Sequence, residues 1–446
     1  MTTLKSTFQP LHQPLRFFAY MVKVAPLLGL ILLFEACKKE ELSLPSIQVF
    51  GPNTNSLHTY GGSIEVAVKA QSQEGIDKLI VSIKDAAGRQ AMPSRLIEGN
   101  NETSMTEYLS FDLTDERLKS GNYYISATVY DSEDQSKSDF RDIRIIGAPV
   151  VVQGIYALVQ SNGSAIYQLN GDGSWSEVFT TSGAYHQMEV NSYDGVIHLI
   201  GDATSGLLTL SSDNFSILHQ EVIPFGLGDS FFYSSVMDTT TQKLYTSGAD
   251  DQVYQFNSLG LRQLSYDVPR STVLSIQNNA LLSYSVQNLT QRRLELYSAN
   301  SGFFRQSLSI ADDVVQLFPA QNENQFIYVA NDENGSGVLR IYDVENNYLD
   351  QWEIFLQNPN TSPISSAHRT AYGVVVCHSD QVRYYTFNGS DYTQSPMDIL
   401  SLAEDKIGGR IYAASALGVY QLDQQLNTLN FFDLPNTVDI DVVYNK

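Results

Sequence analysis

The chain has only two cysteines, Cys37 and Cys377, too few for a disulfide framework. Basic residues are also scarce. Lys and Arg number 27 against 49 acidic residues, giving a formal charge of −22. Nucleic-acid binding needs a basic footprint, so no nucleic-acid partner is expected. The motifs HExxH, GxSxG, CxxC and the P-loop are all missing. Zinc hydrolysis, an elbow-mounted serine, thiol exchange and phosphate cradling therefore lack their usual marks. The seven histidines form no HExxH and no close pair, and neither a metal nor a cofactor is expected. No apolar run reaches the roughly 18 residues of a membrane-spanning helix. What is plentiful is Tyr (26) and Phe (21), with charged residues at only 17%. That balance favours strands and suits an extracellular β-rich protein.

The first segment reads as an address. In "MVKVAPLLGLILLFEACKKEE", Lys23 precedes a short apolar stretch from Ala25 to Phe34, and Ala36 precedes Cys37. Lys38-Lys39 and Glu40-Glu41 follow as a charged stretch. This resembles a bacterial lipoprotein signal, in which the cysteine becomes the lipidated first residue. The resemblance implies removal of residues 1–36, lipidation of Cys37, a tether over 37–44, and a membrane partner through that lipid. It also implies an outer-membrane location, at the cell surface or facing the periplasm. Residues 1–20 add nothing that a signal needs, so Met21 is a second candidate start.

From Pro45 the apolar residues alternate: Ile64, Val66 and Val68, then Leu79, Val81 and Ile83. "SGNYYISATVYD" places Tyr123, Ile125, Ala127 and Val129 on one face. A Gly-x-Tyr start to such a strand resembles bacterial immunoglobulin-like and PKD-like modules. The resemblance implies a β-sandwich over 45–147 in which Tyr123 ties a strand corner to the backbone.

Residues 150–446 repeat. "GIYALVQSNGSAIYQLN", "GVIHLIGDATSGLLTLS", "QKLYTSGADDQVYQFNS", "ALLSYSVQNLTQRRLELYS", "QFIYVANDENGSGVLRIYD", "GVVVCHSDQVRYYTFNG" and "GRIYAASALGVYQLDQ" each give a strand, a polar turn and a strand. Equivalent positions are Tyr156, His198, Tyr245, Ser283, Tyr328, Val375 and Tyr412. Their spacing averages about 43 residues, the period of a four-stranded propeller blade. Little before Gly154 resembles a first strand. The alternating "DIDVVYN" at the end of the chain is the candidate to supply it and close the ring. "FIYVANDENGSGVLRIYDVENN" resembles a unit of YVTN-type propellers, with Tyr328, Val329, Asn331 and Asp343 matching. The expected fold is thus all-β: an immunoglobulin-like sandwich, then a seven-bladed propeller closed by the C-terminal strand.

Pro224, Pro269, Pro359, Pro363, Pro396 and Pro435 fall between units and mark rigid loops. Such loops gather on one face of a propeller. With them come Tyr185, His186, Phe231, Tyr233, Arg270, Asp312, His368 and Arg369, the candidate ligand-binding residues. Trp175 and Trp352 are expected on outer strands, packing between blades. The expected function is a surface-anchored, non-enzymatic binding or scaffold protein for a protein or glycan ligand, accessory to nutrient uptake by analogy. A propeller-type polysaccharide hydrolase or lyase is the first alternative, and would gather several carboxylates at the channel mouth. A structural subunit of an envelope assembly is the second.

Overall fold

The structure, a computed structural model, describes residues 44–202, 205–222, 231–287, 291–357 and 359–445. Cys37, its leader and Pro224 lie outside them. The described residues fall into two compact units, one ending at Ala148 and one beginning at Pro149.

The first unit is built around one long bent strand, Ser63–Asp85. Its apolar residues change phase midway, from Ile64, Val66 and Val68 to Leu79, Val81 and Ile83, and all six are buried. The phase change needs an irregularity, which lies between Gln71 and Ile76. Gly75 sits there at φ +87°, where a Cβ would meet the Asn101 carbonyl at 2.9 Å. Before the bend the strand pairs with Ser46–Gly51; after it, with Gly121–Asp131. Arg95–Asp112 follows it along both halves. Ser136–Ile146 pairs with Gly121–Asp131 and runs parallel to Ser56–Thr59. A single apolar cluster fills the unit. The Tyr123 hydroxyl donates to the Lys119 carbonyl at 2.7 Å, tying the start of its strand to the chain four residues back.

The second unit contains seven four-stranded antiparallel sheets. Sheet one takes three consecutive strands, Val152–Gln160, Ser164–Leu169 and Trp175–Thr181, and its innermost strand is Thr437–Tyr444 from the far end of the chain. The other six sheets are each built from four consecutive strands. Their first strands are Tyr185–Asn191, Phe232–Asp238, Ser271–Gln277, Asp313–Pro319, Ile364–Arg369 and Ser401–Asp405. Each of these touches the next in order, and Thr437–Tyr444 touches both Ser401–Asp405 and Tyr185–Asn191, so the circuit is closed. This is the architecture of a β-propeller.

The repeated sequence positions explain the repeated fold. Tyr156, His198, Tyr245, Ser283, Tyr328, Val375 and Tyr412 all lie on the second strand of their sheet and are buried. Several are polar and meet an in-register partner on the third strand. Gln255 Nε2 donates to the Tyr245 hydroxyl at 2.7 Å, Gln421 Nε2 to Tyr412 at 2.9 Å, and His198 Nδ1 bonds Thr209 at 2.9 Å. These in-register pairs satisfy polar groups within three of the sheets, although His198 Nε2 is buried with no hydrogen-bond partner. Both sheet faces are then free to bury apolar side chains, and an apolar cluster lies between each sheet and the next.

The closing strand uses both of its faces. Ile440 and Val442 pack with Tyr412, Val419 and Phe432 of sheet seven. Val443 packs with Met188, Leu199 and Leu210 of sheet two. Trp175 stands on an outer strand and meets Phe432 of the preceding sheet edge-on at 6.0 Å. Trp352 differs from expectation. It follows the outer strand Tyr348–Gln351 and precedes a short helix, Glu353–Gln357, so "WEIFL" is not a strand. Its role is still packing between sheets, against Tyr385 and Phe387 of sheet six.

Candidate functional site

The first strands of the sheets all begin at the same end, which fixes which candidate residues can meet. Tyr185, His186, Tyr233, Arg270 and Asp312 lie at or just before these starts, and Phe231 immediately precedes one. They share one face. His368 and Arg369 do not join them. They end the strand Ile364–Arg369, paired with Val375 and Val374 beside the turn to the second strand. That turn is fixed by Thr370, whose Oγ1 accepts from the Gly373 N–H at 3.1 Å. The alternation of Ala367 and His368 continues the strand where a loop was expected, which carries both residues to the opposite face. His368 and His378 also stay apart, since His378 pairs with Ile364 at the other end of the strand.

Burial removes several other candidates from the surface. Tyr185 is 1% exposed. Its hydroxyl donates to the Ser205 carbonyl at 3.3 Å, and burial pushes the phenol up to about 12. Phe231 is 2% exposed and packs edge-on against Phe232 at 5.1 Å. Asp312 is buried beneath the Arg340 guanidinium at 2.7 Å and accepts from the Tyr328 hydroxyl at 3.1 Å. Burial holds the His186 imidazole below its usual range, and His368 down to about 4. Tyr185, Phe231 and Asp312 are therefore structural, and replacing them would disturb the propeller itself. Tyr233 and Arg270 remain, with His186 half-buried at the same end. The guanidinium lies over the Tyr233 ring at 4.7 Å and hydrogen-bonds its hydroxyl. Arg270 is exposed and Tyr233 half-buried. The pair is a preorganised cation and aromatic on an acidic protein.

Sequence reasoning missed a second constellation on the inner strands. Asp439 and Asp441 of the closing strand stand near Glu189 of sheet two. Desolvation, then mutual repulsion, pushes Glu189 up to about 8. Desolvation is also the main cause for Asp441, raised to about 7, and for Asp439, raised to about 6. Each of the three already accepts hydrogen bonds through at least one oxygen. Asp439 accepts from the Met188 N–H at 2.6 Å on one side and from the Ser401 hydroxyl on the other, bridging sheets two and seven. Asp441 accepts from the Val442 N–H at 2.7 Å. Glu189 accepts from Gln187 Nε2 at 2.9 Å and from the Ser235 hydroxyl of sheet three at 3.1 Å. Innermost strands have an unpaired edge, and these side chains supply acceptors to it. The signal was present in "DIDVVY", where Asp439 and Asp441 alternate with the apolar face.

Among the described residues no three His, Cys, Asp or Glu side chains are placed to hold a metal ion. Cys377 packs in the core between sheets six and seven, where burial raises its thiol. His378 bonds the Ser362 carbonyl at 2.9 Å.

No protein-family model and no curated protein matches the chain. Among solved structures it is similar to that of U3-55K, at 12% identity and TM-score 0.47, over 59% of this chain and 86% of the other. The RRP9 WD40 repeats match at 13% and 0.47, over 64% and 88%. BamB from Moraxella catarrhalis matches at 10% and 0.40, over 65% and 92%. At these values none of them carries an argument about what this chain does.

Proposed function

We propose that this chain is a lipid-anchored, non-enzymatic binding or scaffold protein. Its second unit acts as a seven-bladed propeller that presents the face bearing Tyr233 and Arg270 to a partner protein. The observation that carries the reading is that pair: an exposed cation preorganised on an aromatic ring in a chain of net charge −22. Cation and ring together suit an acidic or aromatic group on a partner. The closed circuit of inner strands supports the seven-bladed reading. The tie from Tyr123 to Lys119 supports an immunoglobulin-like sandwich as the first unit, acting as a spacer in the chain. The sequence around Cys37 supports a lipid anchor and an outer-membrane location.

The hydrolase reading would need the clustered carboxylates for chemistry. Glu189, Asp439 and Asp441 each instead accept from donors of the ring itself, two of them from backbone N–H groups.

Two measurements test the proposal. Cys37→Ser should move the protein from the membrane to the soluble fraction, and unchanged retention would remove the anchor. Affinity capture from envelope extracts should recover a partner with the wild-type chain. Tyr233→Ala with Arg270→Ala should weaken that capture about tenfold, or ~1.4 kcal/mol, with an unchanged melting temperature. Equal capture by the double variant would remove the proposed face.

A further inference from the structure

The opposite face of the propeller carries two adjoining hollows over sheets five, six and seven. The larger, about 620 Å³, lies among Gln321, Asn346, Tyr348, Gln351, Trp352 and Phe387. The smaller, about 400 Å³, lies among Gln321, Tyr372, Phe387, Tyr392, Gln424 and Gln425. Gln321 and Phe387 line both, so the two form one continuous groove. Each volume falls within the roughly 300–1,000 Å³ of small-ligand sites.

The elements that build the groove are the turns at this end of three consecutive sheets. Gln321 is in the turn between the strands Asp313–Pro319 and Gln325–Asn331. Tyr372 occupies the equivalent turn of sheet six, between Ile364–Arg369 and Gly373–His378. Gln424 is in the turn between Gly418–Leu422 and Thr428–Phe432 of sheet seven. The floor is rigid. Trp352 is buried and meets Phe387 at 6.4 Å, and the Arg369 guanidinium lies over Phe387 at 5.9 Å. Against that floor stand two rings that protein does not cover, Tyr348 at 59% exposure and Tyr372 at 52%.

The lining chemistry is selective. It combines aromatic rings with side-chain amides and the carboxylates Asp343, Asp350 and Glu353, and neither hollow is lined by Lys or Arg. An anionic polymer would meet three carboxylates with no Lys or Arg in either lining to offset them. A long cationic chain would find two of the three carboxylates already holding donors, Asp343 from the Asn346 N–H at 2.8 Å and Nδ2 at 3.1 Å and Asp350 from the Gln351 N–H at 2.8 Å. A neutral sugar suits both parts of the wall. Its C–H faces lie on aromatic rings, and its hydroxyls, donors and acceptors at once, pair with amides and carboxylates. We propose that this groove is a binding site for a neutral oligosaccharide, with Tyr348 and Tyr372 as stacking platforms at its two ends. The site is separate from the Tyr233–Arg270 face and does not depend on a partner protein binding there.

The test is titration of the full chain with neutral hexasaccharides (β-glucan, xylan, mannan and α-glucan), with oligogalacturonate and oligolysine alongside. At least one neutral hexasaccharide should bind. Tyr348→Ala and Tyr372→Ala should each weaken it tenfold or more. Both side chains are exposed, so the melting temperature should hold. Arg270→Ala, on the other face, should leave sugar binding unchanged. Absence of binding by every neutral hexasaccharide would overturn the inference. So would binding indifferent to both tyrosine variants, or binding of oligogalacturonate or oligolysine in place of the neutral sugars. Failure of the wild-type chain to capture a partner, or equal capture by the Tyr233→Ala, Arg270→Ala variant, with sugar binding intact, would instead count against the Tyr233–Arg270 face alone.

Discussion

Replacing Glu189 by Gln should stabilise the propeller at neutral and alkaline pH. Glu189 is raised to about 8, Asp441 to about 7 and Asp439 to about 6, each chiefly by desolvation. A carboxyl raised in the folded state binds more protons folded than unfolded. Its effect on stability is therefore neutral below the unfolded value, near 4, and grows more unfavourable as pH rises to the folded value. Two other sets of groups act elsewhere. His198 and His368, both held down to about 4 by burial, cost stability as pH falls below about 6.5. Asp343 and Asp423, held below the usual carboxylate range, matter only in more acid solution. Between pH 6.5 and 8.5 the inner carboxyls dominate, so stability should fall as pH rises. Each pH unit below the folded value is worth about 1.4 kcal/mol for one group. For Glu189 the window is worth roughly 2 kcal/mol, and water reaching this half-buried side chain reduces it to ~1–2 kcal/mol. For a unit of this size that is a loss of about 2–4 °C in melting temperature. Gln can still accept from Gln187 and Ser235, so Glu189→Gln should keep the fold and flatten most of the slope. Thermal melts of both proteins at half-unit steps measure it. A wild-type melting temperature that is flat across the window, or an equal slope in the variant, would refute the reasoning.

Two further outcomes follow from the ring and the first unit. Ending the chain after Val438 removes Ile440, Val442 and Val443, all buried, together with the Asp439 bridge. At ~1.5–3 kcal/mol each the apolar side chains alone approach the whole stability of about 5–15 kcal/mol. Circular dichroism and gel filtration should therefore show unfolding or aggregation, and a soluble product melting as wild type would contradict the closure. Tyr123→Phe removes the bond to Lys119 and should cost ~1 kcal/mol in urea unfolding of the first unit, whereas an unchanged midpoint would show that the tie is idle.

The fold was legible because it is written in periods. Alternation by two marked the strands, and the recurrence of Tyr156, Tyr245, Tyr328 and Tyr412 marked the second strand of four of the seven sheets. The pairing of "DIDVVY" with Gly154–Val159 followed from a strand missing at one end and an unpaired strand at the other. The site was much less legible. Loop-like composition does not distinguish the two faces, so His368 and Arg369 were grouped with residues at the far end of their strand. Aromatics before a first strand serve a propeller as readily by filling the space between sheets as by facing a partner, and Tyr185 and Phe231 do the former. Glu189 is far in sequence from Asp439 and Asp441 and becomes their neighbour only when the ring closes. Tyr348 opens a short outer strand and Tyr372 sits in a turn, and no sequence pattern links them; the fold brings them to hollows that share Gln321 and Phe387.

The central claim, that the Tyr233–Arg270 face holds a partner protein, is tested most directly by photo-crosslinking in intact cells. Asp267 is exposed at the end of a strand three residues before Arg270, so a crosslinking amino acid there probes the face without altering the pair. Tyr108, 74% exposed on the first unit, is the control position. The account predicts a discrete crosslinked complex from position 267 that disappears with Arg270→Ala, and none from position 108. A complex formed from position 108 alone, or one from position 267 that persists without Arg270, would contradict it.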